Sequence, residues 1–409
     1  MLDIRRLRLE PEAVSDALVK RDPELVPIVE HVLLLDKERR EGLMVVNELK
    51  AERNTASKQV GELKRKGEDA EELVATMRVT GDRISEIDHK IRTIDQKLQD
   101  LLLTIPNTPL GEVPEGGEDE NRTEKIWGDP PTFDFEPLPH WELGTSLDIL
   151  DLTRGSKISG SGFSVLKGMG ARLQRGLINY FLDVHTGEHG YTEVRVPYLV
   201  TREAMIGTGQ LPKFEEESYV TTRDDLWLIP TAEVPITNLH RDELLSGMDL
   251  PVRYAGYSPC FRREAGAAGK DTRGLLRMHQ FDKVELVRYE HPERSREALE
   301  ELTREAEVLL ERLGLHHRRI LISSGDLGFS GAMTYDLEAW APAVGQWLEV
   351  SSCTTFTDYQ ARRANLRFRP SQSEKPIFVH TLNASGLALP RIMAALLESY
   401  QERDGTVRL

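Results

Sequence analysis

A chain of 409 residues exceeds the length at which a single hydrophobic core stops growing, so two domains are expected, and 39% apolar with 30% charged residues describes a water-soluble protein with at least one long solvated element. A net charge of −15 excludes a protein that coats nucleic acid indiscriminately, although it leaves room for a local basic patch. No run of about 18 apolar residues occurs, the start MLDIRRLRLEPEAV lacks a signal-peptide core, and two cysteines, Cys260 and Cys353, are too few for a disulfide framework, so a cytoplasmic protein with reduced thiols and no membrane partner is expected.

From Leu35 to Leu63 a three-four spacing holds through Val46, Leu49 and Val60, and it resumes from Leu73 to Leu101 through Ile84, Ile87, Ile91 and Ile94. Two sustained seams of this kind predict two coiled-coil helices. Lys66, Gly67, Glu68 and Asp69 supply a turn between them, so an antiparallel hairpin is expected over about 28–103, within an N-terminal domain 1–104. At 1.5 Å per residue each helix reaches roughly 50 Å, too long to be buried on a small domain, and the hairpin should project into solvent. A basic cluster, Lys50, Arg53, Lys58, Lys64, Arg65 and Lys66, lies on its distal half. Alone, such a rod reads more readily as a dimerisation or spacer element than as an RNA contact.

After Leu103 the composition changes to IPNTPLGEVPEGGEDENR, whose Pro, Gly and acids end the helix and predict a linker over 105–124. From 125 to 409, short β-like runs such as LWLIPT, KVELVRY and IFVHTLNAS alternate with helical stretches at 168–185 and 293–313. Antiparallel hairpins with a few helices predict an α+β domain, not a doubly wound parallel sheet.

His185 and His189 share HxxxH spacing, but Gly187 and Gly190 end the helix there and the zinc reading is disfavoured. Gly207, Thr208 and Gly209 start like a dinucleotide fingerprint, yet Pro212 stands where the third glycine belongs, which rejects it. Thr231, Ala232 and Glu233 follow the strand LWLIP and, taken alone, read as a helix cap.

The richest segment is Tyr257 to Glu285, two strands joined by a polar loop. Alternation puts Arg262 and Glu264 on one face and Arg263 on the other, while Arg273 and Arg277 approach Phe281. Guanidinium groups converging on an aromatic ring suit phosphate plus a planar base. In Trp347–Ser352, Glu349 and Ser351 share a face, with Ser352 on the other unless a bulge intervenes; a few oxygen ligands suit Mg²⁺. Asn383 to Arg391 run from a strand into a helix whose free N–H groups and Arg391 form a natural anion site.

The blocks FRREAG, GKDTRG and HQFDKVE resemble motif 2 of class II aminoacyl-tRNA synthetases, and the bacterial seryl-tRNA synthetases in particular; NASGLALPR resembles motif 3, and the helix leading to Pro197 the weaker motif 1. The resemblance implies an antiparallel-sheet catalytic core preceded by a tRNA-binding coiled-coil arm, and a two-fold dimer. It implies serine contacts at Thr231, Ala232, Glu233, Glu285, Asn383 and Ser385, with Glu285 taking the ammonium or the hydroxyl. It assigns ATP to Arg262, Arg263, Glu264, Arg277, Phe281, Glu349, Val350, Ser351, Ser352 and Arg391, and Mg²⁺ to Glu349 and Ser352. Arg262 and Arg391, with Glu264 reading the base edge or orienting a neighbouring arginine, would be the catalytic groups. Beside such a core the basic cluster of the arm turns towards RNA, and recognition of tRNA(Ser), with tRNA(Sec) as a further acceptor, would rest on phosphates and shape. Ala384, Thr354 and Thr355 depart from a glycine and a Ser-Asn pair common in the family. These changes leave open a paralogue that passes serine to a carrier protein; a non-catalytic tRNA-binding homologue would have been expected to lose the charged ligands.

Overall fold

Heptad spacing becomes two long helices in the computed structural model, which describes residues 1–265 and 273–409; the Gly-Lys-Asp-Thr part of the motif 2 loop lies outside the described residues. Two units are distinguished, Leu2–Ile105 and Pro106–Leu409, with Met1 grouped with the second.

In the first unit two short helices, α1 (Ile4–Leu9) and α2 (Pro11–Val19), precede α3 (Val26–Lys66) and α4 (Glu71–Thr104). The α3 helix has 41 residues, a length of about 60 Å at the helical rise. It stops at Gly67, whose φ of 74° is left-handed and lets the amides of Gly67 and Glu68 return to the carbonyls of Lys64 and Leu63. Val46, Ile84 and Ile91 are buried in the seam, where a Cβ on Gly42 would stand 3.3 Å from Ile91. Asp36, almost fully buried, is met by Arg8 at 3.0 Å and Arg40 at 2.9 Å, so its charge is paired.

The second unit is built on a sheet of eight strands among the described residues: β1 (Arg122–Trp127), β2 (Thr192–Glu193), β3 (Val252–Phe261), β4 (Gln280–Glu290), β5 (His317–Leu321), β6 (Met333–Ala341), β7 (Gln346–Thr357) and β8 (His380–Ala388). Their order is β1-β5-β6-β7-β8-β4-β3-β2, antiparallel throughout except for the short β2–β3 pairing. Helices α5 (Gly168–Gly187), α8 (Ser295–Arg312) and α10 (Leu389–Ser399) pack apolar faces on it, joining Phe181, Leu302 and Ile392 to Leu286, Leu337 and Leu382 in one core. Between them in the chain come α6 (Arg202–Thr208), α7 (Glu233–Thr237) and α9 (Tyr359–Arg363).

The segment 105–124 is more than a tether. Asn107 is buried and its amide donates to the carbonyls of Ser330 at 3.0 Å and Phe356 at 2.8 Å, Leu110 bonds Ala332, and Val113 enters the sheet core. Proline and glycine stop the helix as expected, but the backbone groups they free are satisfied by the sheet.

Candidate active site

A cavity of about 810 Å³ opens over the sheet, and most of the residues singled out in the sequence line it: Thr231, Glu233, Arg262, Glu264, Arg277, Phe281, Glu285, Glu349, Val350, Ser352, Asn383, Ser385 and Arg391. Of the residues assigned to serine and ATP, three lie elsewhere. Arg263 turns outward and donates to the Glu216 carbonyl at 3.0 Å, Ala232 is fully buried, and the Ser351 hydroxyl donates to the Ser385 carbonyl at 2.7 Å beneath the site.

One pole is acidic and dry. Glu285 on β4 is fully buried; Asn383 of β8 donates to its Oε1 at 2.9 Å, and Lys283, two residues away on the same strand face, stands 2.6 Å from Oε2. Glu233 opens α7, and its backbone N–H donates to Thr231 Oγ1 at 3.2 Å, so the cap contact and the pocket-lining position coexist. Burial, reinforced by the Glu285 carboxylate, pushes the Glu233 carboxyl up to about 7, against the opposing pull of a hydrogen bond from Gln360 and the charges of Lys283 and Arg262. Fixed acceptors at the end of a small buried pocket are what a compact ammonium-bearing, hydroxyl-bearing substrate requires.

The other pole is cationic and aromatic. The Arg262 guanidinium lies 5.1 Å from the Phe281 ring centroid and its Nε donates to the Pro230 carbonyl at 3.3 Å. The strand ends at Phe261, and Glu264 adopts a left-handed φ of 51° that directs its carboxylate to Arg277; the two are ion-paired. Arg273 stacks on Trp141 at 4.9 Å instead of approaching Phe281. The loop's return is held by His140, whose Nε2 accepts from Leu275 N at 3.0 Å while Nδ1 bonds the buried Glu398 at 2.7 Å. From α10, Arg391 donates to the carbonyls of Glu349 at 2.7 Å and Leu276 at 3.2 Å.

Between the poles, a bulge in β7 decides the faces. Leu337 pairs with Ser351 and the next residue, Glu338, pairs with Glu349, so Val350 is the extra residue and Glu349 and Ser352 both reach the cavity. Simple alternation would have chosen Ser351. Across the ladder from Ser352 stands Asp336, a residue the sequence analysis did not single out. Its Oδ1 is buried without a partner, and burial together with Glu349 drives its carboxyl well above the usual range. An orphaned carboxylate oxygen beside a second carboxylate and a hydroxyl is an all-oxygen donor set, and it fits Mg²⁺. The available sequence signal was acids spaced by two, Asp336 and Glu338, on a strand adjacent to the Glu349 segment. Lys283 carried a similar signal beside Glu285; Gln360 carried none.

His185 and His189 face each other through their Nδ1 atoms at 3.0 Å, with His185 fully buried against Gly386.

The sequence matches the seryl-tRNA synthetase N-terminal domain over residues 1–109 and the class II tRNA synthetase core domain (G, H, P, S and T) over 213–400. It is 54% identical over 408 residues to the serine–tRNA ligase of Geobacillus kaustophilus, covering all of this chain and 96% of that one, and 49% identical over 409 residues to that of Clostridium tetani with the same coverage. The seryl-tRNA synthetase of Pyrococcus horikoshii, solved with ATP, superposes with a TM-score of 0.96 at 40% identity, covering all of this chain and 96% of that one. The cytoplasmic enzyme of Naegleria fowleri, solved with AMP, gives 0.89 at 28% identity over 98% and 94% of the two chains. With a coiled-coil arm, an antiparallel core and a cavity that joins an acidic pole to a cationic one, the chain belongs to the seryl-tRNA synthetase family of class II aminoacyl-tRNA synthetases.

Proposed function

We propose that this chain activates L-serine with ATP to give seryl-adenylate and pyrophosphate, then transfers the seryl group to the 3′-terminal ribose of tRNA(Ser). The observation that carries the reading is the pairing, within one cavity, of the buried acceptors Glu233 and Glu285 with Arg262 and Arg391. A serine carboxylate attacks the α-phosphorus as pyrophosphate leaves; a tRNA hydroxyl then attacks the seryl carbonyl as AMP leaves. Little proton transfer is asked of the protein in the first step, so positioning and charge neutralisation carry the rate.

Glu233, Glu285 and Thr231 bind and orient serine, with Asn383 fixing Glu285 and Ser385 lining the same pole. Arg262 would hold the α-phosphate where negative charge develops, Phe281 would stack on the adenine, and Glu264, ion-paired with Arg277, would orient that arginine or read the base edge. Arg391 enters ready-aligned, since two carbonyls hold it before any ligand arrives. Asp336, Glu349 and Ser352 would hold Mg²⁺, which supplies charge neutralisation to the phosphates when bound. Alanine and glycine keep the ammonium group but leave the buried acceptor of the hydroxyl unpaired, a strong filter, whereas threonine is excluded by size.

The arm reads tRNA through Lys58, Lys64, Arg65 and Lys66 on its distal half, with Arg53 beside them and Lys50 tied to Asp88 at 3.4 Å; tRNA(Sec) is a further acceptor on the same grounds of shape. A two-fold dimer through α5 and the two-residue edge strand β2, and a cytoplasmic location, complete the reading. Among the described residues no helix is long and apolar enough to cross a membrane.

Serine-dependent exchange of pyrophosphate into ATP, followed by acylation of purified tRNA(Ser), tests it. Exchange with stable seryl-tRNA supports the ligase; exchange without transfer to tRNA would redirect the second step to another acceptor, and no exchange would overturn the proposal.

A further inference from the structure

Gln360, on the first turn of α9, is fully buried and is not among the residues lining the cavity, yet its side chain ties together three elements that shape the acidic pole. Nε2 donates to Glu233 Oε1 at 2.6 Å and to the carbonyl of Thr208, the last residue of α6, at 3.2 Å. Oε1 accepts from the hydroxyl of Thr381 on β8 at 2.7 Å. All three polar functions of the amide are therefore used. The orientation is fixed, because the Thr208 carbonyl can only accept: turning the amide over would set two oxygens against each other there and would point Oε1 at the Glu233 carboxylate.

We propose that Gln360 is a positioning residue for amino-acid recognition: clamped by Thr208 and Thr381, it holds Glu233 so that its other oxygen accepts from the amino group of the bound substrate. This rests on the reading of Glu233 as a substrate ligand. The groups facing Glu233 are Glu285 and Lys283 from β4, Arg262 after β3 and Gln360 from α9. Burial and Glu285 favour a protonated Glu233, which cannot accept from an ammonium group on that oxygen, whereas the Gln360 amide favours the ionised form. A neutral amide in this place thus combines what neither a carboxylate nor a hydrocarbon can: it donates, and it adds no charge.

The test is pyrophosphate exchange with serine and ATP varied separately, over pH 6 to 9, for Gln360→Met, Gln360→Glu, Thr381→Val and Glu233→Ala. Gln360→Met preserves length and removes the donor; KM for serine should rise about tenfold or more while KM for ATP stays within about twofold, the size expected for one hydrogen bond to a charged group. The acid limb of kcat/KM for serine should move to higher pH. Gln360→Glu should be worse, since it puts a third carboxyl at the pole, and Thr381→Val should move the same parameters less. If Gln360→Met does not fold, Thr381→Val carries the test. Unchanged serine KM in the folded variants, or serine and ATP constants rising in parallel without a pH shift, overturns the positioning role. Glu233→Ala separates the two claims: a raised serine KM there with a silent Gln360→Met defeats this inference alone, and no effect of Glu233→Ala defeats the serine-ligand reading beneath it.

Discussion

Arg391 and Glu349, from a helix and a strand, are joined twice: Nη1 donates to the Glu349 carbonyl at 2.7 Å and also stands 3.4 Å from the Glu349 carboxylate. Its Nε is held by Leu276 as well, so the guanidinium is aligned before a nucleotide arrives. Such preorganisation is where electrostatic catalysis gains most. Arg391→Ala should lower kcat for serine-dependent exchange by about 10²-fold or more. Arg391→Lys, which keeps the charge and loses the planar fork, should recover only part of it. Steady-state exchange with a thermal melt as control checks this; a kcat near that of the parent enzyme would remove Arg391 from the mechanism.

Asp336 carries a buried oxygen with no partner, and burial with Glu349 opposes its ionisation, so the carboxyl costs the folded protein stability near neutral pH until a cation arrives. Asp336→Asn should raise the Mg²⁺ concentration for half-maximal exchange by about tenfold, while making the chelator-treated protein more stable by about 1 kcal/mol. A Mg²⁺ titration of activity, beside melts in chelator, measures both. Loss of stability with an unaltered Mg²⁺ requirement would make Asp336 a purely structural residue.

Burial lowers His189 and His317 and, most strongly, His185 to about 3 and His380 to about 4, the last bonded through Nδ1 to Ser295 Oγ at 2.8 Å. His185 and His380 are neutral in the folded protein over a range in which the unfolded chain takes up a proton, near pH 6.5. Their contribution to stability is therefore complete above about pH 6.5 and is lost as pH falls from there through 4 towards 3, by a few kcal/mol in all. Denaturant unfolding between pH 8 and 4.5 should show this decline, and His380→Gln should flatten its lower part. Equal pH dependence in the two proteins would contradict the assignment to His380.

The seams of α3 and α4 were legible because a heptad is a local pattern, and the class II blocks because each motif spans a few residues. Strand faces were legible only where alternation ran uninterrupted. Glu349 and Ser352 share the cavity because of an extra residue at Val350, and nothing near Val350 announces a bulge. Asp336 gains its meaning from lying opposite Ser352, and Gln360 from contacts to Thr208 and Glu233, distant in sequence by 152 and 127 residues. Those are products of register and tertiary packing. Asn107 is similar: its segment's composition reads as linker, and only the carbonyls of Ser330 and Phe356, distant in sequence, explain why it is buried.

The distal arm residues Lys64, Arg65 and Lys66 end α3. Replacing all three by alanine should raise KM for tRNA by about tenfold near 0.1 M salt and reduce the salt slope of binding by about 2, leaving tRNA-independent exchange unchanged. Lys50→Ala should matter less, since Lys50 is already paired with Asp88. Acylation kinetics at several salt concentrations decide the matter; an unchanged salt slope would place the tRNA contact elsewhere.

The central claim is that the acidic pole selects serine. Pyrophosphate exchange measured side by side with serine, alanine, glycine, cysteine and threonine tests it most directly. Serine should exceed alanine and glycine in kcat/KM by about 10³-fold or more, because each leaves the buried acceptor of the hydroxyl unpaired, with threonine rejected by size. Comparable exchange with alanine, or none with serine, would contradict it.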